Sequence, residues 1–187
     1  MMTIFQAVLP TAIVRFSFIA ACMALLTVSA HAQKATLGQQ VAVMKTLKSD
    51  LKIIGVISGN ISDKMTQDVT RAAMSQGLTA VIAKVKDARE VATLYKKLVT
   101  EKKIQALWIP DASDDLVMGV SMDYLIENTA MDRVALCVPA KNLVAGGAMV
   151  AVLMEDGKLT AVINKKIAGV VGAAVPAEAG GIVYVMQ

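Results

Sequence analysis

Two short runs carry the side chains with the most chemical capacity. Ser58-Gly59-Asn60-Ile61-Ser62 groups two hydroxyls and an amide around a glycine, and Pro110-Asp111-Ala112-Ser113 sets a carboxylate beside a hydroxyl. Such groups, placed at the ends of apolar runs, suit hydrogen bonding to a small polar molecule. Each run also has a purely local explanation. Ser58, Asn60 and Ser62 are turn and helix-cap residue types, Ser113 is an N-cap type followed by acids favoured in a first helical turn, and Pro110-Asp111 can simply turn the chain. The pairs Asp114-Asp115 and Glu155-Asp156 could share acid and base work in principle. Adjacent positions point in different directions, so both are read as solvated helix starts or turns.

What else is available depends on where the working chain begins. Arg15 precedes an apolar run from Phe16 to Val28, and Ala30-His31-Ala32 puts small residues at the −3 and −1 positions of a cleavage site. Residues 1–32 therefore read as a Sec-type export signal, which places the remainder, from Gln33 to Gln187, in the periplasm. Ile19-Ala20-Ala21-Cys22 offers a second cleavage reading that would leave an acylated Cys22 at the amino terminus. A retained membrane anchor is a third reading, for which the run is shorter than the roughly 20 residues a spanning helix needs.

Removal of that segment takes all three Phe, the single His31 and Cys22 with it. Histidine bases, histidine metal ligands, Ser-His-Asp triads and Cys-His pairs are then impossible within one chain. Cys137, inside Val134-Ala-Leu-Cys-Val138, is expected to be a buried, inert thiol. No enzyme activity, metal or cofactor is expected. Arg15 is the one basic residue lost from nineteen Lys and Arg, which leaves a net charge of +3 against fifteen acids, scattered and without interleaved aromatics. No nucleic-acid partner is expected.

The elements that would position the two runs follow from hydrophobic periodicity. Leu37, Val41 and Met44 predict a helix over 36–48, and Leu51 to Ile57 a continuous apolar strand. A helix capped by Asn60 or Ser62 runs to about Gln76, stopped by Gly77, and precedes a strand over 78–85. Asp87 starts a third helix bearing Val91, Leu94 and Leu98, and the third strand is 104–109. A helix from Ser113 to about Asn128 and a strand over 133–138 follow. Beyond Pro139 the spacing predicts a strand over 148–154, a helix over 157–171 on Leu159, Ile163, Ile167 and Val170, a flexible connection over 173–181, and a last strand over 182–186. Strand alternation makes Trp108 a core residue rather than a pocket wall.

Alternating strands and helices give a single three-layer α/β domain with an open, mostly parallel, Rossmann-like sheet in the flavodoxin-like strand order. Ligands of such sheets gather beyond the carboxyl ends of the strands, where the loops 58–62, 84–86, 110–113, 139–142 and 155–156 would meet. Neither G-x-G-x-x-G nor G-x-x-x-x-G-K-[ST] occurs. A phosphorylated receiver domain is also excluded, because Ser58-Gly59-Asn60 offers no acid at the end of the first strand.

Leu37-Gly-Gln-Gln-Val41, Leu51-Lys-Ile-Ile-Gly-Val-Ile57, Ile104-Gln-Ala-Leu-Trp-Ile-Pro-Asp111, Arg133-Val-Ala-Leu-Cys-Val-Pro139 and Leu143-Val-Ala-Gly-Gly-Ala148 together resemble the ABC-transporter substrate-binding proteins of the periplasmic type I class. The similarity runs from about Leu37 to Pro176. Members of that family have two lobes hinged around a ligand, and this chain resembles one lobe only. The resemblance implies a small ligand such as an amino acid, held by strand-end loops, with Ser58, Asn60, Ser62, Pro110, Asp111, Ser113 and Ala140 as contact positions. Helix amino termini would hold a carboxylate and Asp111 an amine. Inner-membrane transporter components are the implied partners, and a homodimer could supply the second wall. The alternative expectation is a single-lobe accessory protein that binds no ligand of its own and exposes an apolar patch.

Overall fold

The computed structural model describes residues 34–176 and 181–187; the export-signal and lipoprotein expectations, and part of the connection over 173–181, fall outside them. Helix α1 spans Leu37–Leu47 and opens with a capping box, in which the Thr36 hydroxyl accepts the Gln39 N–H while the Gln39 side chain accepts the Thr36 N–H. Its inward face carries Val41, Val43, Met44 and Leu47. Strand β1 (Ile53–Ser58) is buried from its second residue onward. Helix α2 (Asp63–Ser75) is capped by the Ser62 hydroxyl, which accepts the Met65 N–H at 3.2 Å. Strand β2 (Thr79–Lys84) lies at the sheet edge and is only half-buried.

A short 3-10 turn at Ala88–Glu90 leads into α3 (Val91–Thr100), then β3 (Ala106–Trp108), α4 (Val120–Met131), β4 (Ala135–Val138) and α5 (Lys141–Ala145). Strands β5 (Val150–Glu155) and β6 (Lys158–Ile163), helix α6 (Lys165–Val171) and β7 (Ile182–Met186) complete the chain. The seven strands form one sheet in the order β2-β1-β3-β4-β5-β6-β7, parallel except where β6 pairs antiparallel with β5. The expected three-layer α/β architecture and the flavodoxin-like order of the first five strands are present.

One face of the sheet packs Val56, Trp108, Cys137, Val150 and Ala161 under α1, α2 and α6. The other packs Ile57, Leu107, Leu136, Ala151 and Val162 under α3, α4 and α5. Trp108 is fully buried, and its indole N–H donates to Gln40 Oε1 at 2.8 Å while Gln40 Nε2 donates to the Ala35 carbonyl at 2.9 Å. The pairing satisfies two buried polar side chains at once, as burial requires. Cys137 is fully buried in β4, and desolvation alone pushes its thiol up to about 12.

Three elements differ from the sequence expectation, the first being α5, which forms at Lys141–Ala145 where the spacing predicts no helix. The segment 157–171 is not one helix: Lys158–Ile163 is β6, and helix begins only at Lys165, capped by Asn164. Asp156 (φ 50°) and Gly157 (φ 73°) make the tight turn that folds β6 back on β5. Two positive φ values match the type I′ turn favoured in two-residue hairpins, for which Asp-Gly is a preferred pair. Helix α4 starts at Val120, not at Ser113, after Gly119 at φ 67°. Residues 113–119 instead form turns in which Val117 and Met118 N–H donate to the Asp114 carbonyl.

Candidate functional site

The first and third strands lie side by side, with Val56 opposite Trp108. The helices that leave them diverge: α2 returns the chain to β2 on one side of β1, and α4 returns it to β4 on the other side of β3, over opposite faces. This is the point at which strand order reverses. In open α/β sheets the crevice between the two diverging loops is the place where ligands bind.

Asp114 ties the two loops together at this point. Its Oδ2 accepts the Ser58 hydroxyl at 2.8 Å and the Gly59 N–H at 2.6 Å, and lies 3.4 Å from the Asn60 N–H. The residue is 1% exposed. The sequence reads Asp114 as a solvated helix start or turn; the chain does turn here, but it drives the carboxylate out of solvent and back under the β1 loop. Ser58 is likewise buried, with its hydroxyl committed to Asp114. Ile61, also buried, pins the far side of the same loop beside the exposed Asn60.

Asp111 sits higher on the opposite wall. Its Oδ1 accepts the Ser113 N–H at 3.0 Å and its Oδ2 accepts the Ser113 hydroxyl at 2.9 Å, so the two residues form a local turn with Ser113 itself exposed. The Ser113 backbone bond, foremost, holds the Asp111 carboxyl below its ordinary range, and its hydroxyl and Lys34 act in the same sense. Lys34 stands 3.8 Å away on an 84%-exposed side chain, a geometry that contributes little to stability. Pro110 is half-buried at the base of this wall.

The remaining sequence-selected positions spread along the edge. Ser62 is exposed and occupied as the cap of α2. Ala140 is the half-buried residue before the single-turn helix α5 and offers no side-chain cap. The start of α5 and the end of β5 are bridged by Lys141 Nζ and Glu155 Oε1 at 3.2 Å. The structure thus unites Ser58 and Asn60 with the 110–114 loop, and leaves Ala140 in a separate group with Lys141 and Glu155.

Two residues of the crevice escaped sequence reasoning, Asp114 and Leu116. A Cβ added to Gly59 would lie 2.6 Å from Leu116 Cδ1 and 3.0 Å from Asp114 Oδ1. The absent side chain of Gly59 is therefore what lets Leu116 and the carboxylate close over the β1 loop. Grooves elsewhere include one of about 720 Å³ along α2, lined by Thr66, Thr70, Arg71 and Met74, and one of about 450 Å³ past β2, lined by Asp87, Arg89, Glu90, Thr93 and Leu94.

No family model matches the sequence, and no curated protein matches it. Solved structures do resemble the fold. The ABC domain from Streptococcus pneumonia, solved in complex with L-Trp, superposes with a TM-score of 0.62 at 21% identity over 79% of this chain and 60% of that one. A substrate-binding protein with adhesive properties from Clostridium difficile, solved ligand-free and open, gives 0.61 at 17% identity over 82% of this chain. The chain spans 60% of the length of each. At these identities the likeness is one of fold: the three-layer α/β architecture found in substrate-binding proteins.

Proposed function

We propose that the protein is an exported, non-enzymatic solute-binding protein that holds a small polar molecule, such as an amino acid, between the loops after β1 and β3. The observation that supports this best is the tie across the strand-order reversal, where one buried carboxylate fixes Ser58, Gly59 and Asn60 against the 110–114 loop. A crevice floor locked in this way is preorganised, so a ligand orders few groups on binding. One fold neighbour holds L-Trp, which gives the solute class a precedent.

Asn60, Asp111 and Ser113 would contact the ligand directly, with Pro110 and the more distant Ala140 as walls. The first turn of α2 follows the Ser62 cap, and its leading N–H groups suit a ligand carboxylate. Ser58 would act from beneath, by holding the loop. A second copy or a further lobe would close the crevice from above, and transport components of the inner membrane would receive the solute. Isothermal titration with the common L-amino acids tests the assignment. Asn60→Ala and Asp111→Ala should each weaken the binding seen in wild type at least ten-fold, and unchanged affinity in both would remove the crevice from consideration.

A second function is favoured by a different observation. Val183 and Val185 lie on one side of β7 and are about 40% exposed, as is Met186 at its end. An accessory protein without its own ligand would use that apolar strand to dock on a partner. Absence of any solute across the titration panel, together with capture of a transport component that Val183→Lys abolishes, would favour this role.

A further inference from the structure

Asp114 is satisfied on one side only. Oδ2 receives the Ser58 hydroxyl and the loop N–H groups, whereas Oδ1 is buried and has no hydrogen-bond partner. Among the described residues, no Lys or Arg forms an ion pair with it. A bare carboxylate oxygen out of water is costly, and native proteins rarely leave one without a partner. This orphan lies at the strand-order reversal, 3.0 Å from the point where a Gly59 side chain would begin, in space that Leu116 Cδ1 fills. Leu116 is half-buried, and what it places there is the far end of a flexible side chain.

The missing partner can be narrowed by chemistry. Guanidinium groups bind carboxylates best through both oxygens, and Oδ2 is already saturated. A hard divalent cation takes six or more oxygen ligands, and no cluster of three acidic, His or Cys side chains occurs among the described residues. A primary ammonium can give one of its three N–H donors to a single free acceptor and turn the other two to water or neighbouring oxygens. Given the solute-binding role proposed above, on which this inference rests, we infer that the ligand carries a primary ammonium group, that Asp114 Oδ1 receives it, and that Leu116 is the side chain it displaces. Asp111, whose two oxygens are engaged by Ser113, then touches the ligand without being the anchor for its amine.

Matched pairs that differ only in the amine test this: L-tryptophan with indole-3-propionate, L-leucine with 4-methylpentanoate, and L-alanine with propionate, titrated calorimetrically into the full chain. Wild type should prefer the amino member of a binding pair by at least ten-fold. Asp114→Asn keeps an acceptor for Ser58 but removes the anion, and should bring that ratio close to one. Should Asp114→Asn fail to fold, Gly59→Ala supplies an independent reading, since its methyl group would stand 3.0 Å from Oδ1 and so occupy the approach to it; the ratio should again collapse. Equal affinity for both members in wild type, or an undiminished ratio in a folded variant, overturns the inference, assigns Oδ1 to a structural water and leaves the solute-binding role standing. Binding of no member of any pair overturns that role for these solutes and the inference with it.

Discussion

The Ser58 hydroxyl donates to Asp114 Oδ2 at 2.8 Å, joining the end of the first strand to a loop 56 residues further along the chain. Both residues are almost completely buried, at 1% exposure each. Loss of either partner strands the other. Asp114→Ala leaves a buried hydroxyl and a part-buried N–H without an acceptor and should destabilise the protein by about 3 kcal/mol, and Ser58→Ala by about 1.5 kcal/mol. Urea denaturation measures both. The double variant should fall short of the sum of the singles, since the two share one interaction.

A comparable pairing holds α1 to the sheet. Gln40→Met preserves bulk and removes the acceptor of the Trp108 N–H, which is fully buried. The expected loss is about 2 kcal/mol. Trp108 is the single tryptophan of the chain, so its emission reports the site directly and should move to shorter wavelength. Unchanged emission and stability would show that the indole finds another partner.

The β5-β6 hairpin depends on left-handed backbone at Asp156 and Gly157. Gly157→Val puts a β-branched residue at φ 73° and should cost roughly 1–2 kcal/mol. Gly157→Asn should cost less, because Asn tolerates that region. Equal stability of the Val and Asn variants would mean that the turn is not held in this form.

Much of the fold was legible because its strands are short, continuous apolar runs. Ile54 to Ile57 and Ala135 to Val138 are buried throughout and read as such from composition alone. The hairpin is hidden in the sequence because Leu159, Ile163, Ile167 and Val170 also satisfy helical spacing, which outweighs the turn signal of Asp156-Gly157. The crevice was legible as a location, since β1 and β3 could be ordered. Its central carboxylate was not. Asp114 and Asp115 are chemically identical neighbours, and only the backbone turns at 113–119 send the first inward and leave the second exposed. Nothing local in the sequence marks a partner more than fifty residues away.

Cys137 provides the pH-dependent test. Burial raises its thiol from its ordinary value of 9.0 to about 12. The unfolded chain therefore releases this proton first, and stability present below pH 9 is lost as pH rises toward 12, at up to roughly 1.4 kcal/mol per pH unit. In a Cys22→Ser background, wild type should lose stability more steeply over that window than Cys137→Ala. A thiol reagent at pH 8 should label Cys137 only on unfolding. Fast labelling of the folded protein would contradict its burial.

The central claim is that this chain binds a small solute in the crevice floored by Asp114. Native mass spectrometry of the purified protein, alone and with a panel of L-amino acids, tests it most directly, because it reports bound small molecules and oligomeric state in one spectrum. The account predicts a protein that carries or acquires one solute per crevice, and an Asn60→Ala variant that loses it. A protein that stays free of solute across the whole panel, as monomer or dimer, would contradict it.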